Sequence, residues 1–185
     1  MSRIVGLIGF SCSGKGTFTE RVRHVESVTL ISTGTAVRKE IESQGLAFTP
    51  ENVLQVSDSI RARTGGIFLK ILEPQLRNAL QSAPLVIVDC FREAQDVSFA
   101  QSLCRDVKLL AIMADDTVRW ARMNARGRPG DPKTTDDFLL FKQKERSLGV
   151  EELLKQANYS ISNDLDIETF RIRSQEAIEK LLKDA

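Results

Sequence analysis

The sequence predicts a doubly wound α/β domain, a five-stranded parallel sheet flanked by helices. Three observations carry that prediction. Five short runs, at residues 4–9, 28–32, 85–89, 107–114 and 159–163, are rich in Val, Ile and Leu, and most are continuously apolar, as in strands buried on both faces. Longer stretches of helical character separate these runs. The first run opens into Gly9-Phe10-Ser11-Cys12-Ser13-Gly14-Lys15-Gly16-Thr17, a glycine-lysine loop placed between strand and helix.

The elements follow in order. Residues 16–25 carry the first helix, and the second strand leads to a helix over 36–43. Thr49-Pro50 offers an N-cap followed by proline at the first helical position, predicting a helix over 50–63. Gly65-Gly66 marks a hinge or tight turn, and Pro74 predicts a kink or break within the helical stretch 67–81. The third strand ends on Asp89 and precedes a helix over 93–104; the fourth precedes helices over 116–126, 135–147 and 150–156. Between the first two of these, Gly127-Arg128-Pro129-Gly130-Asp131-Pro132-Lys133 predicts an exposed, mobile flap. After the last strand, a helix over 168–183 offers Ile167, Phe170, Ala177, Ile178, Leu181 and Leu182 as a partial apolar face for docking on the sheet.

Composition narrows the function classes. A length of 185 residues suits one domain at about 100–200 residues each. With 42% hydrophobic and 28% charged residues, the chain is unlike disordered or fibrous proteins. Lys and Arg number 26 against 25 Asp and Glu, which argues against a polybasic surface for a nucleic acid polymer. No apolar run approaches the ~20 residues needed to cross a bilayer. The apolar N-terminal run breaks after Phe10 and leads into the glycine-lysine loop, so it reads as a strand and not a signal peptide. Three cysteines without CxxC or Cys/His spacing fit a reducing cytoplasm.

The loop carries the chemistry. Gly9 and Gly14 permit backbone angles that turn successive N–H groups inward around phosphate oxygens. Lys15 supplies a point charge for the β and γ phosphates, and the start of the next helix adds partial positive charge. Gly9, Ser11, Cys12, Ser13, Gly14, Lys15, Gly16 and Thr17 are therefore the nucleotide-binding candidates. A strict P-loop places Ser or Thr directly after the lysine, whereas here Gly16 intervenes before Thr17. Gly14-Lys15-Gly16-Thr17 resembles the phosphate loop of nucleoside monophosphate kinases such as adenylate kinase and the UMP/CMP kinases. That resemblance implies magnesium held mostly by phosphates and water, with Thr17 on phosphate and only a weak metal ligand. Phe10, Ser11 and Cys12 stand where adenylate kinases usually have Gly, Pro and Gly, while Gly9, Gly14 and Lys15 are in place.

Other segments extend the resemblance. Ser32-Thr33-Gly34, three residues, then Arg38 resembles the adenylate-kinase segment whose arginine binds the acceptor's monophosphate, implying Thr33, Gly34 and Arg38 as substrate-binding residues. One turn into a helix, Arg38 can fork two N–H groups onto a phosphate dianion, although the segment also reads as ordinary helix capping. Asp89 closes a buried strand in the Walker B pattern, placed to orient water on magnesium. Asp89-Cys90-Phe91-Arg92 resembles the Asp-Gly-Phe-Pro-Arg segment of adenylate kinases with the proline missing, implying Arg92 as a catalytic and substrate-binding residue. Arg119, Arg122 and Arg126 recur along one helix face. Arg122 and Arg126 fit lid arginines that neutralise charge on a transferred phosphoryl group, while Arg119 reads equally as a solvated face. Lys142, Lys144 and Arg146 are weaker basic candidates. Residues 157–164 resemble the segment before the last helix of dephospho-CoA kinases, implying Asn163 near an adenine pocket; a plain last strand with an Asn turn is the equal alternative. With the 127–132 stretch, they resemble a poorly characterised archaeal and bacterial P-loop family related to adenylate and dephospho-CoA kinases.

These readings predict a phosphotransferase using ATP and Mg2+, with a nucleoside or deoxynucleoside monophosphate as acceptor and no membrane or nucleic acid polymer as partner. Lys15, Arg92, Arg122 and Arg126 are the catalytic candidates, and Asp89 the metal candidate through water. Residues 1–185 form a single domain with an acceptor-binding helical lobe at about 35–81 and a lid at about 126–135. Two alternatives stand: dephospho-CoA kinase-like transfer to a hydroxyl, with Asp89 as base, and a non-kinase ATP-binding regulatory protein. Cys12 and Cys90 read as small buried residues or as reactive thiols beside the crevice, Cys104 as helix core, His24 as a surface residue and Trp120 as a packing residue.

Overall fold

β1 (Arg3–Ile8), β2 (Val28–Ser32), β3 (Leu85–Asp89), β4 (Val107–Met113) and β5 (Tyr159–Ser162) make one five-stranded parallel sheet in the order β2-β3-β1-β4-β5. The computed structural model describes residues 2–89, 91–128, 131–147 and 149–185, without the side chains of Pro50 and Lys144. β1 is central and buried along its whole length, which explains the apolar run from Ile4 to Ile8 that follows Arg3, itself buried and paired with Asp106 at 2.7 Å. Alternate side chains enter opposite layers. Ile4 and Ile8 pack with Leu76 and Ala79 of α4 (Glu73–Ser82) and Ala100 of α5 (Ala94–Leu103). Val5 and Leu7 pack with Phe18 and Val22 of α1 (Lys15–Val22) and Phe170, Ile178 and Leu181 of α9 (Ile167–Lys183).

Gly6 matters to this packing. A Cβ there would lie 2.6 Å from the Phe91 ring, so the bare β1 backbone lets that fully buried ring close over the strand just after β3. Burial of such a ring stabilises the fold by about 1.5–3 kcal/mol, and Gly6→Ala would expel it.

A third, smaller apolar cluster organises the helices beside the sheet. Val37 and Ile41 of α2 (Thr33–Ser43) meet Val56 and Ile60 of α3 (Pro50–Arg63), with Phe68 and Ile71 packed against them. Thr49 caps α3, its Oγ1 accepting from the Asn52 amide at 3.2 Å, with proline in the first turn. Gly65 and Gly66 take φ of +66° and +88° and turn the chain back. Pro74 acts as a break: the stretch predicted as one helix over 67–81 divides into a 3-10 turn, Phe68–Leu72, and α4, whose first turn holds the proline.

α6 (Asp116–Arg126), α7 (Thr135–Ser147) and α8 (Val150–Lys155) lie between β4 and β5. Gly127, at φ +56°, ends α6 with a left-handed cap. Trp120 packs on Phe138 with ring centroids 5.2 Å apart, tying α6 to α7. On α9, Ile167 is 47% exposed and does not join the docking face, whose first buried residue is Phe170. His24 is exposed, and Cys104 sits half-buried at the end of α5 with its thiol donating to the Ser2 carbonyl at 3.1 Å. Among the described residues, no helix is long and apolar enough to cross a membrane.

Candidate active site

A cleft of about 1170 Å³ opens above the carboxyl ends of the strands, where ligands bind in open parallel sheets. Its floor is the loop between β1 and α1. Gly9 takes φ +151°, and a Cβ there would stand 2.4 Å from the Ile112 carbonyl oxygen, so glycine alone lets the chain leave β1 past β4. The Ser13 amide donates to the Phe10 carbonyl at 3.2 Å, closing a turn whose third residue, Cys12, has φ +61°. A positive φ at that position is the type II arrangement and favours glycine, the residue the resemblance expects there. Gly14, at φ +117°, caps α1, and a Cβ on it would overlap the Asn163 amide at 2.1 Å. No side chain caps α1, and Lys15, Gly16 and Thr17 of its first turn line the cleft.

Three side chains brace this loop from outside. Asn163, buried at the end of β5, donates from Nδ2 to the Ser13 carbonyl at 2.7 Å. Arg122 donates to the Asn163 carbonyl at 2.9 Å, to its Oδ1 at 3.2 Å and to the Cys12 carbonyl at 3.4 Å. Arg119 donates from Nε to the Ser11 carbonyl at 2.9 Å and from Nη1 to Asp116 Oδ1 at 2.8 Å, while its Nη2 is paired with Glu145. Arg119 is 1% exposed, with the Phe10 and Phe138 rings 4.7 and 5.7 Å from its guanidinium. The solvated-face reading of Arg119 is therefore replaced: its charge is met inside the protein by two carboxylates and a loop carbonyl. Lys142 is likewise spent, paired with Asp116, and Arg146 faces Glu151 at 3.5 Å.

Lys15 reaches back over the loop, with Nζ donating to the carbonyls of Gly9 at 2.7 Å and Phe10 at 3.0 Å. Asp89 stands at the end of β3 on the cleft wall. Burial raises its carboxyl pKa above the ordinary value, and Lys15 and Arg92 pull it part of the way back. Arg92 lines the cleft, its turn fixed by its own amide donating to Asp96 Oδ2 at 3.1 Å. Arg126 lines it too, held by Asp131 through Nε at 3.0 Å, and this bond lowers the Asp131 pKa. Cys12 lines the cleft half-buried. Burial raises its thiol pKa, with Arg126, Arg119 and Arg128 opposing and Asp131 adding to the rise, which does not favour a thiolate.

Gly9, Ser11, Cys12, Gly14, Lys15, Gly16, Thr17, Thr33, Gly34, Asp89, Arg92, Arg122, Arg126 and Asn163 thus surround one cleft. Two candidates do not reach its wall. Ser13 is buried under Gly9, and its Oγ has no hydrogen-bond partner among the described residues. Arg38 is exposed and stacks on the Phe48 ring at 4.1 Å; Phe48 itself, 54% exposed, lines the cleft. Cys90, Pro129, Gly130 and the side chain of Lys144 lie outside the described residues.

The cleft also holds residues that sequence reasoning passed over. Arg61 of α3 lines it, with the Phe68 ring 5.3 Å from its guanidinium and Glu93 at 3.8 Å. Val37, Phe48, Val53 and Phe68 give that side an apolar wall, and Glu145 of α7 faces the loop. No sequence signal set Arg61 apart from the other charges of α3; it follows Ile60, a residue of the lobe's small core.

No family model matches the chain. A UPF0200 protein of Pyrococcus abyssi is 33% identical over 182 residues, covering 97% of each chain. The chain belongs to the UPF0200 family. Among solved structures, a shikimate kinase from Bacteroides thetaiotaomicron aligns with TM-score 0.61 and 16% identity over 98% of each chain. A putative kinase from Chloroflexus aurantiacus aligns with TM-score 0.63 and 14% identity, covering 96% of this chain and 97% of its own. At those identities the likeness concerns the fold: this UPF0200 chain shares with those two kinases an architecture of parallel sheet and flanking helices.

Proposed function

We propose that this protein transfers the γ-phosphoryl group of ATP to a nucleoside or deoxynucleoside monophosphate. The observation that supports this most is the two-part cleft: a glycine-rich loop with Lys15 at one end, and beyond Asp89 an apolar wall of Val37, Phe48, Val53 and Phe68 with Arg61 beside it. The loop's inward amides and ammonium suit a polyphosphate. An aromatic and aliphatic wall suits a planar base better than a polyol, whose buried hydroxyls would each need a partner. Arg61 and Arg92 supply forked donors for the acceptor's phosphate, and Arg38 steadies the wall through Phe48. Gly14-Lys15-Gly16-Thr17 supports closer kinship with adenylate kinases and residues 157–164 with dephospho-CoA kinases, and the cysteine usage supports a cytoplasmic setting.

Transfer between two polyanions needs positioning and charge cancellation more than covalent chemistry. Lys15, Arg92 and Arg126 bring positive charge to the cleft, whereas Arg122 acts by fixing the loop carbonyls that orient its amides. A magnesium ion, when bound, supplies neutralisation of the charge between donor phosphates. The chain suits an ion that keeps phosphate and water as its main ligands: among the described residues no three His, Cys, Asp or Glu form a metal cluster, and Asp89 and Thr17 both line the cleft. An acceptor that is already a phosphate dianion requires no general base.

A hydroxyl acceptor is the second reading, favoured by Asp89, whose raised pKa suits a carboxylate that takes a proton. ADP release from ATP and magnesium separates the readings when measured with nucleoside and deoxynucleoside monophosphates, dephospho-CoA, shikimate and gluconate in turn. Turnover with a nucleoside monophosphate is the expected result; turnover confined to the alcohols would overturn it in favour of Asp89 as base. ATP binding without any acceptor-stimulated release would point to a regulatory protein.

A further inference from the structure

We infer that Glu145 is an internal substitute for a nucleotide phosphate, carried on α7, which occupies the loop until a polyphosphate displaces it. This rests on reading the loop as a nucleotide site. Glu145 Oε1 accepts the Ser11 amide at 2.6 Å, a short charge-assisted bond to a backbone N–H of the phosphate loop. Its other oxygen is paired with Arg119, whose Nε holds the carbonyl of the same Ser11 residue. Ser11 is thus gripped at both its N–H and its C=O, and the group on the N–H is an anion. The Glu145 side chain is 13% exposed and lines the cleft, so a ligand entering the cleft meets it directly.

A carboxylate oxygen and a phosphate oxygen make the same demand on an N–H, and two anions sharing one donor at hydrogen-bond distance repel strongly in a partly desolvated site. A phosphate that engages Ser11 must therefore push Glu145 aside. Arg119 need not follow, because it keeps Asp116 and the Ser11 carbonyl. The displacement then falls on α7, which is tied to α6 by Trp120 on Phe138 and by the Lys142–Asp116 pair, and which follows the connection predicted as a lid. Donor binding is in this way coupled to the position of α7: the loop is self-occupied at rest, and filling it releases the helix.

Binding of ATP and of inorganic triphosphate, without acceptor, tests this by calorimetry on wild type, Glu145→Gln and Glu145→Ala. Both variants are expected to bind each ligand more tightly by about 10- to 100-fold, the range that corresponds to one hydrogen bond to a charged group. Equal or weaker binding by variants whose circular dichroism and melting remain cooperative would overturn the inference, leaving Glu145 as a structural partner of Arg119. If wild type and variants alike bind neither ligand, the phosphate-loop reading falls and this inference with it. Hydrogen exchange on wild type gives a reading that needs no variant. ATP should speed exchange across residues 135–147, and unchanged or slower exchange at saturating ATP would contradict release of α7.

Discussion

Replacing Arg119 with methionine removes a buried charge while leaving most of its stem volume. In the native protein the guanidinium is 1% exposed and makes hydrogen bonds to Ser11, Asp116 and Glu145. Breaking a buried pair by removing one partner costs about 3–5 kcal/mol. Three features reduce that here. Asp116 keeps Lys142, the Glu145 carboxylate keeps the Ser11 amide, and methionine refills the space between the Phe10 and Phe138 rings. A loss of about 2–4 kcal/mol remains. Single domains have about 5–15 kcal/mol of stability, so the variant should fold but unfold at lower denaturant. With a urea slope of about 2 kcal/mol per molar, the midpoint should drop by about 1–2 M. Arg119→Lys should recover part of this, since an ammonium keeps the charge but cannot serve three acceptors in a plane. A midpoint shift equivalent to less than about 0.5 kcal/mol, the usual range for a surface substitution, would refute the buried-brace argument and restore the solvated-face reading.

Lys15→Ala should lower phosphoryl transfer by about 10²–10³ with little change in melting, because the hydrogen bonds its ammonium gives up are to two backbone carbonyls at the open cleft; near wild-type turnover would remove the loop from the mechanism. Arg61→Ala should raise the acceptor KM by about tenfold or more and leave the ATP KM nearly constant, with Arg38→Ala having the smaller effect because it acts through Phe48. A larger ATP effect in either variant would reverse the assignment of the two sides. Asp89→Asn should stabilise the protein at neutral pH. The folded carboxyl pKa is raised above 3.8, so the folded state holds its proton longer than the unfolded state, and the native residue loses stability as pH rises from 3.8 through the folded value. The gain should vanish below that window, and a urea-midpoint difference that instead grows on acidification would show the sign to be wrong.

The sheet was legible because strands buried on both faces leave continuous apolar runs, and all five sit where those runs do. Gly9 and Gly14 were legible because the loop backbone takes positive φ at both, +151° and +117°, a local demand that glycine spacing announces; the atoms a Cβ would strike there, on Ile112 and Asn163, lie far along the chain. Arg119 was not, because an arginine on a helix face has the same spacing whether water or a carboxylate 26 residues away meets its charge. Arg61 was hidden for a related reason. It is one of several charges on α3, and the lobe's small core, not the helix period, decides which of them faces the cleft. Arg38 shows the opposite limit: the motif marks it for the acceptor's phosphate, yet its guanidinium lies on the exposed Phe48 ring and off the cleft wall.

Cys12 joins these cases into one argument about what shapes the loop. Judged by residue type, a cysteine at a glycine position should have moved the backbone out of the left-handed region, at a gain of roughly 1–2 kcal/mol. It stays at φ +61°. The loop's own bonds, from the Ser13 amide and Lys15 to the Phe10 carbonyl, are joined by three from outside: Arg122 on the Cys12 carbonyl, Asn163 on Ser13 and Arg119 on Ser11. Loop shape is therefore imposed in part by α6 and β5, with Gly9 and Gly14 as the two positions where a side chain cannot be accommodated. Anything that shifts α6 changes the shape of the loop without touching a loop residue, so on the proposed reading Arg119→Met should weaken ATP binding although it alters no loop residue.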